Sequence, residues 1–556
     1  MSRKKQGEGP PPLERRITPA YRPRQAEKAA PCQGGCANCG DIRGWIATVA
    51  QRDKTGLSRS EAYARAWRVI TEVNPFPATL GRICPHPCED HCNRGNLDQP
   101  LAINAMERFL GDFAIRTGLP HERPDLPARA ESIGVVGAGP SGLSFAYQMA
   151  RRGYCVTVYD AREKAGGMLR YGVPDYRLPQ AVLDAEIRKI VDLGVKLSLR
   201  TRVGHDITLE ELRSRHDRLY LGIGAQDGRA LDIPGSVGPG VWTGANYLFL
   251  INGGEQPQVG KSVVVIGGGN TAVDSARCAR RSGAEVTILY RRSRAEMPAV
   301  EQEVADALEE GVQLIELVAP VAVRRQVDGR VAAVVAQRMR LGERDASGRR
   351  RPVAVAGSQF EIRADTVISA IAQVPVLDGF EALDQQGGWL VSDEEGMVAD
   401  GVLAGGDALG PGIAGNAIVQ GRRAAERLHA RLTGGGDGAQ KSPDRPVIAA
   451  ERVRLATKPV AAAAHSPVLA PEQRVRPEMP EVAGTIDEAQ FLAEVERCFS
   501  CGLCSGCEQC YMYCTAGCFT RLEEPRPGLY FSLNLDACEE CGKCVEVCPC
   551  GYLEAT

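Results

Sequence analysis

The chain holds no run of 18 apolar residues, so a membrane-spanning helix is not expected. Its opening stretch, MSRKKQGEGPPPLERR, lacks the apolar core of a secretory leader, so secretion is not expected either. No charge of one sign dominates. The formal net charge of −2 gives no bulk attraction to nucleic acid. Cysteine all but vanishes between residues 93 and 497, where only Cys155 and Cys278 occur, both expected to be small buried hydrophobes. Elsewhere it is abundant: of 20 cysteines, six fall within residues 32–92 and twelve within 498–550. A disulfide scaffold would be a short secreted chain, and this one has 556 residues. Reduced, clustered thiols in the cytoplasm point instead to metal. The expectation is a cytoplasmic, metal-bearing protein of three to four domains, at about 150 residues each.

Composition divides the chain. Residues 1–31 are polar and rich in Pro, Lys and Arg, and read as a disordered or loosely docked arm. Residues 32–128 combine six cysteines with short helical stretches, one of them starting at Ser58, where Ser58 and Glu61 have capping-box spacing. From residue 131 to about 432, β-branched runs alternate with Gly-rich turns and helical segments, the α/β pattern. Residues 433–484 are rich in Gly, Pro and Ala and read as a surface linker. Residues 485–556 have few core-forming runs and need inorganic clusters to fold.

Two glycine fingerprints lie in the α/β region. The strand IGVVG leads into Gly137, Gly139, Pro140, Ser141 and Gly142, then a helix, then the strand CVTVYD ending in Asp160. The glycines let backbone N–H groups approach a pyrophosphate, and the acid can accept from ribose hydroxyls. SVVVIG leads likewise into Gly267, Gly269, Asn270, Thr271 and Ala272. Gly142 to Asp160 and Ala272 to Tyr290 are the same 18-residue step, so Tyr290 takes the acid's place, followed by Arg291 and Arg292. Loss of the acid and gain of two guanidiniums favour NADP(H) over NAD(H). The alternative is that both arginines are exposed strand-capping charges. One fingerprint inside another's domain is the arrangement of flavin-dependent pyridine-nucleotide oxidoreductases. The strand GVLAGGD, ending in Gly406 and Asp407 with a helix from about Ala414, marks the first site as FAD-binding by that likeness. The expected fold is α/β. Two nested Rossmann-like domains (131–255 with 365–432 for FAD, 256–364 for NAD(P)) follow a helical iron–sulfur domain and precede a ferredoxin-like iron–sulfur domain.

NPFPATLGRICPHPCEDHC (74–92), VVGAGPSGLSFA, GGMLRYGVPDYRLP (166–179), VVVIGGGNTAVD, YRRSRAEMPA (290–299) and GVLAGGDA resemble the small-subunit family of glutamate synthase. Its relatives include the electron-entry half of dihydropyrimidine dehydrogenase. The resemblance covers residues 30 to 432. It implies that Gly167, Leu169, Arg170 and Val173 lie along the flavin, and that Gly269, Asn270, Thr271, Arg291 and Arg292 bind the pyridine nucleotide. The implied chemistry is hydride transfer from nicotinamide to flavin, which needs alignment rather than a catalytic base.

The tail carries the ferredoxin run twice: Cys504, Cys507, Cys510 and Cys514, then Cys538, Cys541, Cys544 and Cys548. In two-cluster ferredoxins the fourth cysteine serves the other cluster. One [4Fe–4S] would use Cys504, Cys507, Cys510 and Cys548, the other Cys538, Cys541, Cys544 and Cys514. Zinc is the competing reading of CxxC pairs. Near the N-terminus the resemblance implies one cluster on Cys36, Cys84, Cys88 and Glu107, although Glu107 is also readable as a helix-surface acid. A second cluster would have Cys32 and Cys92 but lack two ligands, because the family's leading CxxC is absent from residues 24–31. That context recurs at Cys498 and Cys501, which are expected to fold back and complete it. Cys39 is the alternative donor, and Cys498 and Cys501 as bystanders of the ferredoxin fold is the plainer reading. Cys39, Cys518 and Cys550 receive no assignment.

These parts describe an electron-transfer enzyme linking NADP(H) or NAD(H), FAD and [4Fe–4S] clusters to a partner redox enzyme or carrier, with a homo-oligomer left open. A non-enzymatic cluster scaffold is the contrasting reading. The tail motifs CGLCSGCEQCYMYC and CEECGKCVEVCPCGYLE resemble the iron–sulfur flavoprotein that accompanies dissimilatory sulfite reductase. The alternatives are the glutamate synthase small subunit itself and the NAD(P)H-linked subunit of a 2-oxoacid:ferredoxin oxidoreductase.

Overall fold

A computed structural model describes residues 21–124, 126–345, 348–434 and 445–555. Two mainly parallel sheets form its centre. The first runs in the order Met397–Ala399, Val402–Ala404, Arg218–Leu221, Ser132–Val136, Cys155–Tyr159, Lys196–Ser198, parallel except for the first pair. Its central strand SIGVV is buried along nearly its whole length, as a parallel strand covered on both faces must be. The helices Pro140–Arg151 and Ala414–Leu432 pack together over it, with Ile133, Val135, Phe145 and Ile418 in one core. The second sheet, all parallel, runs Gln313–Glu316, Glu285–Tyr290, Ser262–Ile266, Thr366–Ser369, Val241–Thr243. The second nucleotide unit is therefore wider than residues 256–364. Val241–Thr243 and Thr366–Ser369 belong to it: Thr366–Ser369 is the second parallel neighbour of the fingerprint strand Ser262–Ile266, and Val241–Thr243 pairs parallel on its far side. Three antiparallel strands, Val318–Arg325, Val331–Arg344 and Arg350–Arg363, flank this sheet.

Ahead of the sheets lie helices including Ile42–Ala50, Arg59–Thr71, Pro77–Ile83 and Ile103–Arg116. Arg59–Thr71 starts on the expected capping box, with Ser58 and Glu61 bonding reciprocally. Trp45, Ile46, Tyr63, Phe109 and Phe113 form their core. Phe491, from the helix Glu488–Arg497, completes it and stacks on Phe109 at 4.2 Å. Residues 485–497 thus pack into the N-terminal core rather than with the ferredoxin-like tail.

Two further expectations are corrected. Residues 1–20 and 435–444 lie outside the described residues, but 21–31 are not loosely docked. Pro23–Gln25 pairs antiparallel with Leu553–Ala555, and the Lys28 N–H donates to the Gly502 carbonyl at 3.1 Å. The arm's polar backbone finds its partners on the tail's free edge. Residues 445–484 are a strap with buried anchors rather than a surface linker. Ile448 and Val453 pack on Phe499, and Val482 enters the second nucleotide unit's core. Glu481 pairs with Arg82 at 2.7 Å and Arg108 at 2.8 Å. Cys278 is buried, but Cys155 is exposed, because strand alternation turns it outward at the start of Cys155–Tyr159. Among the described residues no helix is long and apolar enough to cross a membrane.

Candidate functional site: two nucleotide clefts and four thiol groups

The first fingerprint turns at Gly137, whose φ of +102° a side chain rarely adopts. A methyl on Gly137 would collide with the Gly222 carbonyl, and one on Gly142 with the Gly137 carbonyl. Gly139 is different: its outward face meets only the Gly167 Cα, at 3.8 Å. It therefore leaves a bare backbone cradle at the N-terminus of Pro140–Arg151, where a pyrophosphate gains both N–H groups and the helix dipole. Asp160 is buried at the end of its strand, and burial raises its carboxyl above the usual range. It accepts from the Ala138 N–H at 2.7 Å and the Arg162 N–H at 2.8 Å, so both oxygens are held in fixed orientation with lone pairs to spare. Ser141 and Tyr220 share a hydrogen bond of 2.6 Å, and Tyr220 stacks on Phe145.

Opposite lies the Gly406–Asp407 turn. The Gly406 N–H donates to Gln420 at 2.6 Å, and Asp407 accepts from the Gly412 N–H at 3.1 Å. Burial pushes Asp407 up to about 6, against that N–H. The N-terminus of Ala414–Leu432 opens just beyond. Gly167 lies against Gly139, beside the cradle. Leu169 is a core residue, with Val173 packed at the edge of the same core. Arg170 is engaged with the protein itself, bonding Ala165, Gln180 and Asp184, so it braces the GGMLRYG loop.

The second fingerprint opens on a cleft of about 560 Å³ lined by Gly267, Gly269, Thr271, Tyr290, Arg291 and Arg292. Gly267, at φ +146°, turns beneath the Ala370 carbonyl. Tyr290 sits over Gly268 and donates to the Glu296 carbonyl at 2.8 Å. Ala272 is buried core, and Asn270 accepts from the Val300 N–H at 3.0 Å, fixing the YRRSRAEMPA loop. The two arginines differ. Arg291 is exposed at the cleft. Arg292 is buried and donates to Asp345 at 2.6 Å and the Arg350 carbonyl at 2.7 Å, which leaves Arg291 the better placed for a phosphate. Arg229 and Arg349 also line the cleft. Sequence reading missed both, since they lie far from the fingerprint in the chain. Pro411, from the Asp407 loop, lines this cleft as well, so the loop serves both sites.

The thiols gather in four groups. Cys36, Cys84, Cys88 and Glu107 act on one another electrostatically. Burial, then Glu107, pushes Cys84 up to about 12. Glu107 is held by Asn74 at 2.8 Å, and burial lifts its carboxyl to about 7. Cys39 is exposed and acts on Cys36. Cys32 lies instead among Cys92, Cys498 and Cys501. Arg43 donates to the Cys501 carbonyl at 2.8 Å and Arg94 to the Arg497 carbonyl at 3.0 Å, locking the tail segment onto the N-terminal helices. Cys504, Cys507, Cys510 and Cys548 line one small cavity, and Cys514, Cys538, Cys541 and Cys544 another, with the fourth cysteines crossed. Among the described residues no three such side chains converge tightly enough to hold a single metal ion.

The sequence signature described as dihydropyrimidine dehydrogenase domain II, 4Fe–4S cluster, matches residues 13–119. The chain is 38% identical over 438 residues to the NADP(+)-dependent formate dehydrogenase subunit beta of Moorella thermoacetica, covering 73% of this chain and 60% of that one. It is 40% identical over 355 residues to the NADPH-Fe(3+) oxidoreductase subunit beta of Geobacter sulfurreducens, covering 63% and 51%. To the glutamate synthase [NADPH] small chain of Azospirillum brasilense it is 35% identical over 425 residues, covering 72% and 86%. It thus spans about half to three fifths of the first two relatives. The residues described fit FAD, NADP and 4Fe–4S groups. The signature of the pyridine nucleotide-disulphide oxidoreductases matches residues 131–421, more than half the chain, and with the glutamate synthase likeness this makes the chain a member of that family, of the glutamate synthase small-subunit type and with an N-terminal 4Fe–4S domain.

Proposed function

We propose that the chain is an electron-transfer subunit that carries four [4Fe–4S] clusters and couples NADP(H) to a separate redox enzyme. FAD, when bound, exchanges hydride with nicotinamide and single electrons with clusters. The chain's residues supply the path. Gly415, at the start of the flavin-side helix, packs against Ala37, within the Cys36–Cys39 loop, and Arg422 donates to the Asn38 carbonyl at 3.1 Å. The Cys36, Cys84, Cys88 and Glu107 group therefore adjoins the flavin cleft. Next along the chain come Cys32 and Cys92 with Cys498 and Cys501, and only two residues separate Cys501 from Cys504. The Gln51 amide is buried between these groups, donating to the Cys504 carbonyl at 3.4 Å and accepting from Tyr530. Cys507 and Cys541 are exposed at the far end, where a partner can approach.

The observation that carries this reading is the meeting of Cys498 and Cys501 with Cys32 and Cys92, which joins the N-terminal and C-terminal thiols into one line. For the partner, the tail's likeness favours dissimilatory sulfite reductase. The name of one relative, the formate dehydrogenase subunit of Moorella thermoacetica, favours a formate dehydrogenase as the second reading. The purified protein should bleach its flavin spectrum with NADPH and oxidise NADPH continuously when sulfite reductase and sulfite are added. Turnover with formate dehydrogenase and not with sulfite reductase would select the second reading. An unbleached flavin would sink both.

A further inference from the structure

Each C-terminal group of four cysteines is accompanied by a fifth thiol. Cys518 lines the same small cavity as Cys514, Cys538, Cys541 and Cys544, and Cys550 the same cavity as Cys504, Cys507, Cys510 and Cys548. Both are 2% exposed, so neither is placed to exchange with solvent or to bridge to another chain. The Cys550 Sγ lies 3.8 Å from the Cys548 Sγ, within hydrogen-bonding reach for sulfur and far from disulfide length. The Cys518 N–H donates to the Cys514 Sγ at 3.3 Å, and the Cys518 thiol lies within reach of both Cys514 and Cys538.

The two halves match. In each, the extra thiol adjoins the fourth cysteine of its run, the one that crosses to the other half's group. Phe519 and Phe531 pack into the same core. A ligand sulfur gains negative charge when its cluster is reduced, so an S–H aimed at it stabilises the reduced state more than the oxidised one.

We propose that Cys518 and Cys550 are a matched pair of hydrogen-bond donors that raise the reduction potentials of the two C-terminal clusters. This rests on the cluster reading above. The test uses the full chain, purified without oxygen, as the parent and as C518A, C518S, C550A and C550S. Iron is counted, and each cluster's midpoint is read from its EPR signal during a redox titration. Parental iron content is expected in every variant. Each alanine variant should shift the midpoint of a different cluster to lower potential, and each serine variant, whose hydroxyl still donates, should recover most of that shift. Unchanged midpoints in both alanine variants would overturn the proposal. So would loss of about four irons from either, because that cysteine would then be a ligand. A parent protein without the two ferredoxin signals would overturn the proposed function itself.

Discussion

Arg291 and Arg292 are adjacent in sequence and unlike in environment. Arg292 is spent on Asp345 and the Arg350 carbonyl, whereas Arg291 stays at the open cleft. Arg291→Ala should therefore raise KM for NADPH by roughly tenfold to a hundredfold, the worth of a charged hydrogen bond of about 1.5–3 kcal/mol. KM for NADH should barely move. Equal losses with both nucleotides in steady-state assays would contradict this assignment. His121 is a second residue that no motif reveals. It is buried, stacked on Trp67 at 5.1 Å, and its ring nitrogens have no hydrogen-bond partner among the described residues. Burial, then the charges of Lys189 and Arg151, pushes it down to about 3. The unfolded chain, with a pKa near 6.5, takes up the proton first as pH falls. Its contribution to stability is thus complete above about pH 6.5 and is lost toward pH 3, by up to about 1.4 kcal/mol per pH unit. Thermal midpoints between pH 7.5 and 5.5 should fall more steeply for the parent than for His121→Phe.

At the scale of elements, the flavin cleft depends on how closely two helices cross. A methyl at Gly421 would meet the Ser141 carbonyl, so Ala414–Leu432 and Pro140–Arg151 touch backbone to backbone. Gly421→Val should push them apart at a cost of about 1–3 kcal/mol and lower both the melting temperature and the flavin-to-protein ratio. Unchanged flavin content would show that the crossing does not set the cleft. The sequence made the strands and helices of both fingerprints legible, because a buried parallel strand, a glycine turn and a helix leave a dense local pattern. Val241–Thr243 and Thr366–Ser369 carry no such mark, since their membership of the second sheet comes from pairing across more than a hundred residues. The strap was illegible for a related reason. Its Ala and Pro content reads as a linker, while a few anchors such as Ile448 and Glu481 do the holding through contacts distant in sequence.

At the scale of the whole molecule, the chain closes on itself. The 21–31 segment and the tail form one sheet, Glu488–Arg497 fills the N-terminal core, and Cys498 and Cys501 reach Cys32 and Cys92. Cysteine spacing made the two thiol groups of the tail readable, and the lack of a second cysteine pair near the N-terminus pointed to the fold-back. The Arg94 and Arg43 contacts that hold the fold-back in place could not be read, because only tertiary packing brings them there. Truncating residues 503–556 is a poor probe of this closure, since Lys28 donates to the Gly551 carbonyl at 2.9 Å and the arm that leads into Cys32 would lose its anchor. The most direct measurement is iron content and flavin content of the full-length C498A/C501A variant beside the parent. The closure requires a loss of about four irons per chain with flavin and both ferredoxin EPR signals retained. Parental iron in the double variant would contradict it.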